Sequence, residues 1–420
     1  VSCYTIESED KKMEKNADNR VDGGTLSNYT AVVSRQLDLV WSLDFDKKIL
    51  SGSAAHTVEI LAEGGASEVS FDTSAINVQE CMVDGEPAAF NLGEQVGVLG
   101  QRLSVPLPSA KTAKGCKSVV QIKYVADESA SAIQWLDATA TKGGVHPYVF
   151  TQSQAIHARS LFPCQDCPGV KAPYTAVVTC PSWCTVVMSA LADGEAQATP
   201  DGKRIFNFTQ PVPCSSYLVA LAAGDLAKRD LSNRCAVWAE PSVVDAVAFE
   251  FSQTEDFLQA AEELTCPYAW GRYDVLCLPP AFPYGGMENP CLTFATPTLI
   301  AGDKSLADVV AHEIAHSWTG NLVTCATWEH FWLNEGWTVW LERKIMARIK
   351  GGARGGCLDG PAEGLDSLKL SAQMGWKHLS DDVTLLGEDS HFTRLVWPLG
   401  QCDPDDAFSG VPYDKGFNLL

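Results

Sequence analysis

The sequence predicts two consecutive domains, an all-β domain followed by a domain of mixed α and β structure. Its length of 420 residues exceeds what a single hydrophobic core usually holds. The pattern of apolar residues also changes near residue 225, from short alternating stretches separated by turns to a helical spacing. Hydrophobic residues make up 46% of the chain, which is enough to fill two cores and excludes a disordered protein.

The chain divides into three segments. Residues 1–36 are polar and mixed in charge, which predicts a flexible leader. Residues 37–225 predict the all-β domain, because LDLVWSLDF, VVQIKYVA and RIFNFTQPVP follow the pattern of strands. Residues 226–420 predict the mixed domain, with helices in VDAVAFEFSQTEDFLQAAEEL, SLADVVAHEIAHSWTG and LNEGWTVWLERKIMARI. The glycine-rich stretch 350–364 predicts an exposed loop. VPYDKGFNLL begins a last helix, and its apolar end leads us to expect a truncated chain.

The charge balance and the cysteines limit the classes of partner and location. The chain carries 31 Lys and Arg against 52 Asp and Glu, a net charge of −21, which opposes binding to nucleic acid. No apolar stretch is long enough to span a bilayer, so no membrane is expected as a partner. The 15 cysteines, an odd number scattered through apolar stretches, predict reduced thiols and a cytoplasmic location. Cys164 and Cys167 resemble half of a zinc knuckle, but no second half follows.

The sequence HEIAH predicts a pair of metal ligands. It places His312 and His316 four residues apart, so on a helix both imidazoles face the same side, one turn apart. Glu313, next to the first histidine, is then positioned to exchange a proton with water in the same site. Taken alone, the motif also fits two histidines that bind no metal.

Glu335 favours the metal site over that alternative. It follows His316 with 18 residues between them, and a second helix packed on the first can bring its carboxylate to the same ion. Two histidines and one glutamate with an open fourth position are typical of catalytic zinc, whereas a structural site uses four protein ligands. We therefore expect one Zn2+ per chain as the cofactor.

The stretch YGGMENP, residues 284–290, places an acid between two apolar stretches, in residues typical of turns. By itself it predicts a turn with Glu288 exposed to water. Together, GGMEN, HEIAH and Glu335 resemble the gluzincin aminopeptidases, which combine GxMEN with HExxH and a glutamate at the same spacing. The resemblance implies that Glu288 binds the free α-ammonium of a peptide through a charge-assisted bond. An endopeptidase has no use for such an acid.

The resemblance covers nearly the whole chain beyond the leader. It is strongest to the branch of the family that also opens a lipid epoxide, as in HPYVFTQSQAIHARSLFPCQD and DPDDAFSGVPYDKGF. It implies a saddle-like all-β N-terminal domain followed by a thermolysin-like α+β zinc peptidase domain. The family continues into a C-terminal helical domain, which we expect to be absent because this chain ends before it.

The resemblance also assigns roles to site residues. Glu313 and Tyr413 are implied to be catalytic, with the Tyr413 phenol donating to the oxyanion. The metal ligands are His312, His316 and Glu335. The residues implied to bind substrate are Glu288, Gln152, Gln154, Gly285, Gly286, Met287, Tyr284, Phe331 and Asp405. The two glutamines would help Glu288 hold the amino end, and Tyr284 and Phe331 would line the first side-chain pocket. Asp405 would act in epoxide hydrolysis and in recognition of an N-terminal arginine. Without the resemblance, such aromatic residues are usually core and such glutamines surface.

Two positions have open or altered roles. Glu342 falls on nearly the same helical face as Glu335, which predicts either a group that orients a ligand or a solvent-facing glutamate. Phe408 stands where the epoxide-opening branch has a second tyrosine that lipid epoxides alkylate. That departure weakens the case for the lipid reaction.

Three functions remain open. The leading hypothesis is a zinc aminopeptidase acting on short peptides with a free N-terminus. One alternative is a bifunctional hydrolase that also opens a lipid epoxide at the same zinc. The other is a truncated, non-catalytic chain that binds peptides.

Overall fold

The computed structural model describes residues 21–350, 362–400 and 403–420. The strands, in chain order, are β1 Val32–Asp44, β2 Ile49–Ile60, β3 Glu68–Thr73, β4 Ile76–Val83, β5 Glu86–Ala88, β6 Asn91–Gln95, β7 Gln101–Pro106, β8 Lys117–Ala126, β9 Ile133–Leu136, β10 Tyr148–Thr151, β11 Lys171–Pro181, β12 Thr185–Met188, β13 Leu191–Ala192, β14 Gln197–Ala198, β15 Lys203–Ser215, β16 Leu221–Gly224, β17 Ala227–Asp230, β18 Cys235–Ala239, β19 Tyr273–Cys277, β20 Gly286–Met287 and β21 Leu292–Ala295. The helices are α1 Ala158–Leu161, α2 Val244–Glu250, α3 Thr254–Leu264, α4 Asp308–His316, α5 Trp332–Lys350, α6 Ala362–Leu386 and α7 Val411–Leu419.

The predicted all-β domain is confirmed, and it contains three sheets. The largest has nine strands in the order β13-β15-β11-β1-β2-β8-β4-β5, with β14 also paired to β15. The others have the orders β12-β16-β10-β9 and β3-β7-β6. β8 shows why these segments form strands: every second side chain from Ser118 to Ala126 is buried, while those between lie nearer water. Such alternation places one face of each strand in a core.

The predicted flexible leader is wrong for the part of it that the structure describes. β1 begins at Val32, and the polar segment before it packs onto the domain. Leu26 N donates to Asp72 Oδ1 at 2.6 Å, and Asp22 is only 4% exposed. The polar composition suggested exposure to water, but these groups find partners that the local sequence does not reveal, Asp72 of β3 for Leu26 and the Trp328 amide for Asp22. Residues 1–20 lie outside the described residues.

The second domain contains a sheet of five strands in the order β17-β18-β19-β21-β20. β18, β19 and β21 run parallel, and β20 pairs antiparallel with β21 at the edge. Val275 of β19, Ala311 of α4 and Leu341 of α5 belong to one buried cluster, so both helices share a core with the sheet. This packing fixes α4 beside α5 and places β20, which consists of Gly286 and Met287 of the GGMEN loop, along α4.

The hydrophobic core continues from one domain into the other. Trp41 and Tyr124 of the first domain and Leu276 and Phe294 of the second belong to the same buried cluster. Because that cluster spans the boundary, residues just after β10 are held against the second domain. This is how glutamines from the β-rich half come to lie at a site built by the other half.

The remaining predictions concern the last helix, the loop 350–364, the cysteines and the absence of a membrane-spanning stretch. The expected last helix is confirmed as α7, with Pro412 in its first turn. α6 begins inside the predicted loop 350–364, and most of that loop, residues 351–361, lies outside the described residues. The cysteines of the described ranges are free thiols, Cys164 and Cys167 among them. No helix of the described residues is long and apolar enough to cross a bilayer.

Candidate metal centre and substrate cavity

Helix α4 brings the two histidines of HEIAH together as its periodicity predicts. The Nε2 atoms of His312 and His316 lie 3.1 Å apart. His312 Nδ1 lies 3.0 Å from Glu342 Oε2, and His316 Nδ1 lies 2.9 Å from Thr319 O. A carboxylate and a carbonyl can only accept, so each Nδ1 carries the proton and donates it. The two Nε2 atoms therefore face the same point.

Helix α5 adds a carboxylate at that point. Glu335 Oε2 lies 3.5 Å from His312 Nε2 and 3.3 Å from His316 Nε2. Glu335 is 2% exposed, and its Oε2 has no hydrogen-bond partner within the described ranges. A buried carboxylate oxygen and two imidazole nitrogens that converge on one point are the donor set that a divalent cation satisfies. The residues present thus fit the zinc that the sequence predicts.

Glu342 is not the solvent-facing glutamate that the sequence left open as one alternative. It accepts from His312 Nδ1 and fixes that ring's tautomer and orientation. Thr338, one turn after Glu335 on α5, lies 3.0 Å through its Oγ1 from His316 Nδ1. Hydrogen-bond partners behind both ligands hold the donor set in place.

Glu313 lies beside these donors with an unusual environment for a carboxyl group. It is 6% exposed, and its Oε2 has no hydrogen-bond partner within the described ranges. Burial raises the pKa of Glu313 to about 8, although the neighbouring histidines oppose the shift. A carboxyl group with such a pKa can both take up and release a proton near neutral pH.

Glu288 is buried rather than exposed in a turn. It is 4% exposed, its main-chain oxygen accepts from Asn321 Nδ2 at 2.7 Å, and its Oε1 accepts from Gln154 Nε2 at 3.2 Å. Donor atoms of Glu288, Glu313 and His316 lie within 4.8 Å of one another. Burial is the main cause that raises the pKa of Glu288. The acid of the glycine loop is therefore fixed close to the metal ligands.

Tyr413 reaches the site from helix α7. Its ring lies 6.0 Å from the His312 ring, centroid to centroid. Burial raises the pKa of Tyr413 well above its usual value, so the phenol keeps its proton and can donate. α7 comes close because two glycines meet: a Cβ added to Gly336 would lie 2.8 Å from Gly416 Cα. The α5–α7 crossing thus sets the position of the phenol.

These groups surround one cavity of about 290 Å³. The residues lining it are Gln154, Tyr284, Gly285, Gly286, Glu288, Asp308, Val309, His312, Glu313, His316, Glu335, Glu342, Phe408 and Tyr413. A side pocket of about 30 Å³ opens beside it, lined by Gln154, Ala155, Tyr284, Trp328, Phe331, Pro404, Asp405, Ala407 and Phe408. Gln154, Tyr284 and Phe408 line both, so the side pocket lies directly beside the cavity.

Two of the predicted substrate residues lie outside these linings. Gln152 turns its Nε2 toward Met287 Sδ, at 3.1 Å, rather than toward the cavity. Gln152 thus contacts the glycine loop, to which Met287 belongs. Sequence reasoning also missed Asp308, Asn321 and Thr338. Asp308 precedes His312 by four residues and could have been found by extending the helical face backwards, whereas no spacing signal marks the other two.

Comparison with known proteins places the chain among related sequences. The profile described as "Peptidase family M1 domain" matches residues 249–420, and "Peptidase M1 N-terminal domain" matches residues 32–218. Leukotriene A-4 hydrolase of Xenopus laevis is 45% identical over 387 residues, which are 92% of this chain and 61% of that protein. Leucine aminopeptidase 2 of Aspergillus terreus is 43% identical over 402 residues, which are 95% of this chain and 63% of that protein.

Solved structures agree with these matches. Yeast LTA4 hydrolase in complex with bestatin aligns with a TM-score of 0.87 at 39% identity, over 99% of this chain and 62% of that one. The chain therefore spans less than two thirds of the length of the relatives that it matches.

Proposed function

Because this chain belongs to peptidase family M1, the family that the gluzincin motifs predicted, we propose that it is a zinc aminopeptidase that removes the first residue of short peptides. The observation that carries the proposal is the position of Glu288. Its carboxylate lies within 4.8 Å of donor atoms of Glu313 and His316. A free α-ammonium bound there brings the first peptide bond, and no later one, to the proton-transferring acid.

The metal in this proposal is one Zn2+ per chain, held by His312, His316 and Glu335. When bound, zinc supplies Lewis-acid chemistry that makes water a nucleophile at neutral pH and polarises the scissile carbonyl. The support for zinc is the donor set itself, two imidazole nitrogens and one carboxylate with a position left open.

The side chains divide the remaining work. Glu288 and Gln154 hold the α-ammonium, the first through a charge-assisted hydrogen bond and the second through its amide oxygen. Glu313 takes the proton of the attacking water and delivers it to the leaving amine. Tyr413 donates its phenolic proton in a hydrogen bond to the oxyanion. Each role uses a group that the cavity already presents.

The test is turnover of leucyl-anilide and of its N-acetylated form by the purified chain, with zinc content measured in parallel. We expect turnover only of the free amine, because acetylation removes the cation that Glu288 binds. Glu313→Gln should abolish turnover and keep the zinc, since Glu313 is not a ligand. Zinc bound without turnover by the unmodified chain would instead favour the non-catalytic, peptide-binding alternative.

Peptide hydrolysis is favoured over opening of a lipid epoxide. The side pocket that contains Asp405 has a volume of about 30 Å³, and two of its lining residues, Phe331 and Phe408, pack in a tilted arrangement with ring centroids 5.7 Å apart. A space of that size holds about one water molecule and no acyl chain. Asp405 is paired with His157 Nε2 at 2.9 Å, so its carboxylate is already committed to a neighbouring side chain. The free thiols of the described ranges support the proposed cytoplasmic location.

A further inference from the structure

The cavity has a direction, and helix α4 defines it. His316 lies near Glu288, with donor atoms of the two within 4.8 Å. His312 lies one turn earlier on the same face, and Asp308 lies one further turn earlier. At a rise of 1.5 Å per residue, Asp308 is about 12 Å from His316 along the helix axis. The face of α4 that runs from His316 to Asp308 therefore leads away from Glu288, the acid that we assign to the α-ammonium.

The glycine loop runs beside α4 and gives the same order. Glu288 stands at one end of the loop. Next, a Cβ added to Gly286 would lie 2.8 Å from Glu313 Cγ, so this glycine faces the proton-transferring acid. At the other end, a Cβ added to Gly285 would lie 4.0 Å from Val309 Cγ1. The end of the cavity away from Glu288 is thus bounded by Gly285, Val309 and its neighbour Asp308.

Asp308 is an acid at that end, and Lys350 acts on its charge from beyond ion-pair distance. Its side chain is exposed and lines the cavity. Within the described ranges it makes no ion pair with Lys or Arg, and its Oδ1 accepts a hydrogen bond from the Val309 amide at 3.1 Å. Glu342, the other acid on this side, is committed to His312 Nδ1 at 3.0 Å. One carboxylate therefore remains free to meet a cation from the substrate.

We propose that Asp308 forms a subsite for a cationic side chain at the second residue of the substrate. The inference rests on the proposed aminopeptidase activity, because that activity places the leaving residue at this end of the cavity. Successive Cα atoms are about 3.8 Å apart, and a lysine side chain extends about 6 Å further on its four-carbon stem. A second-residue lysine can therefore reach Asp308 while the first residue remains at Glu288. Methionine has similar length without the charge, and glutamate is repelled.

The experiment compares kcat/KM for three tripeptides, Leu-Lys-Ala, Leu-Met-Ala and Leu-Glu-Ala, at low ionic strength. We expect the zinc-loaded chain to prefer lysine over methionine by about five-fold, as for an exposed ion pair, and to disfavour glutamate. Asp308→Asn should bring the lysine-to-methionine ratio to about one. The ratio is taken within one enzyme, so any change in overall rate cancels. Asp256→Asn, an exposed acid in the first turn of α3 outside the cavity, loses the same charge and should keep the original ratio.

A second measurement tests peptide binding without turnover. In Glu313→Gln, the dissociation constants of Leu-Lys-Ala and Leu-Met-Ala are compared by calorimetry, with and without Asp308→Asn. A lysine preference that Asp308→Asn leaves intact, or no preference in the unmodified chain, would overturn the subsite alone. Failure of the unmodified chain to cleave leucyl-anilide and all three peptides would overturn the proposed function, and the subsite with it.

Discussion

Replacing Gly286 with alanine is expected to inactivate the protein without unfolding it. Gly286 lies in β20, opposite Ala295 of β21, and its backbone needs no left-handed conformation, so alanine can adopt it. The added Cβ would lie 2.5 Å from Glu313 Cδ and 2.8 Å from Glu313 Cγ. The clash falls on the end of a flexible side chain and not on backbone. The carboxyl group, rather than the sheet, is therefore what moves.

The size of the effect follows from those distances. Nonbonded carbon atoms pack at about 3.5–4.0 Å, so the Glu313 carboxyl group must withdraw by about 1 Å. A displacement of about 1 Å in a catalytic geometry lowers the rate by about 100-fold. Because Glu313 is not one of the three metal donors, zinc binding should be retained.

The assay measures kcat on leucyl-anilide together with zinc content and the thermal midpoint. Gly285→Ala is the matched comparison, since its Cβ would meet only Val309 Cγ1 at an ordinary 4.0 Å. It adds the same methyl group to the same loop and should lose far less activity than Gly286→Ala. Equal turnover by the two variants would refute the claim that Gly286 makes room for Glu313. Loss of zinc from Gly286→Ala would refute the claim that the added methyl group displaces Glu313 without disturbing the metal ligands.

Three further outcomes are expected. Gly336→Ala pushes α5 away from Gly416 of α7 and should destabilise the fold by about 1–3 kcal/mol in thermal or urea unfolding; unchanged stability would mean that the helices do not cross this closely. Glu342→Gln weakens the orientation of His312 and should lower zinc affinity by about 10-fold in competition with a chelator, whereas unchanged affinity would deny Glu342 that role. Burial lowers the pKa of His56 from 6.5 to about 4, so the stability that its neutral form contributes is complete above pH 6.5 and lost as the pH falls toward 4. Urea unfolding should show that His56→Gln removes about 3 kcal/mol of the change between these pH values; identical pH profiles would contradict this.

The metal donors could be predicted because their relative positions are largely local. His312 and His316 follow from the geometry of a single helix, and Glu335 follows from a helix that has to pack beside it. The role of Glu288 needed the resemblance as well, because a glycine-rich turn by itself is more often exposed. Its burial depends on Asn321 and Gln154, which are distant in sequence.

Other features could not be predicted because they depend on tertiary partners. The segment before β1 has the composition of a leader, and only the buried carboxylate of Asp72 explains why it packs. Thr338 has no motif, and its contact with His316 exists because α5 lies against α4. Helical periodicity extended backwards from His312 predicts Asp308 on the same face. HEIAH begins at His312, so the motif alone does not include Asp308.

The contact between Gly336 and Gly416 has a mechanical consequence. Glu335 directly precedes the first glycine, and the tyrosine on α7 lies three residues before the second. No side chain separates the two backbones there, so α5 and α7 are in direct backbone contact next to the ligand and the phenol. Thermal motion should therefore move Glu335 and Tyr413 together. The spacing between the metal ligand and the phenol should then stay nearly constant when a tetrahedral centre forms.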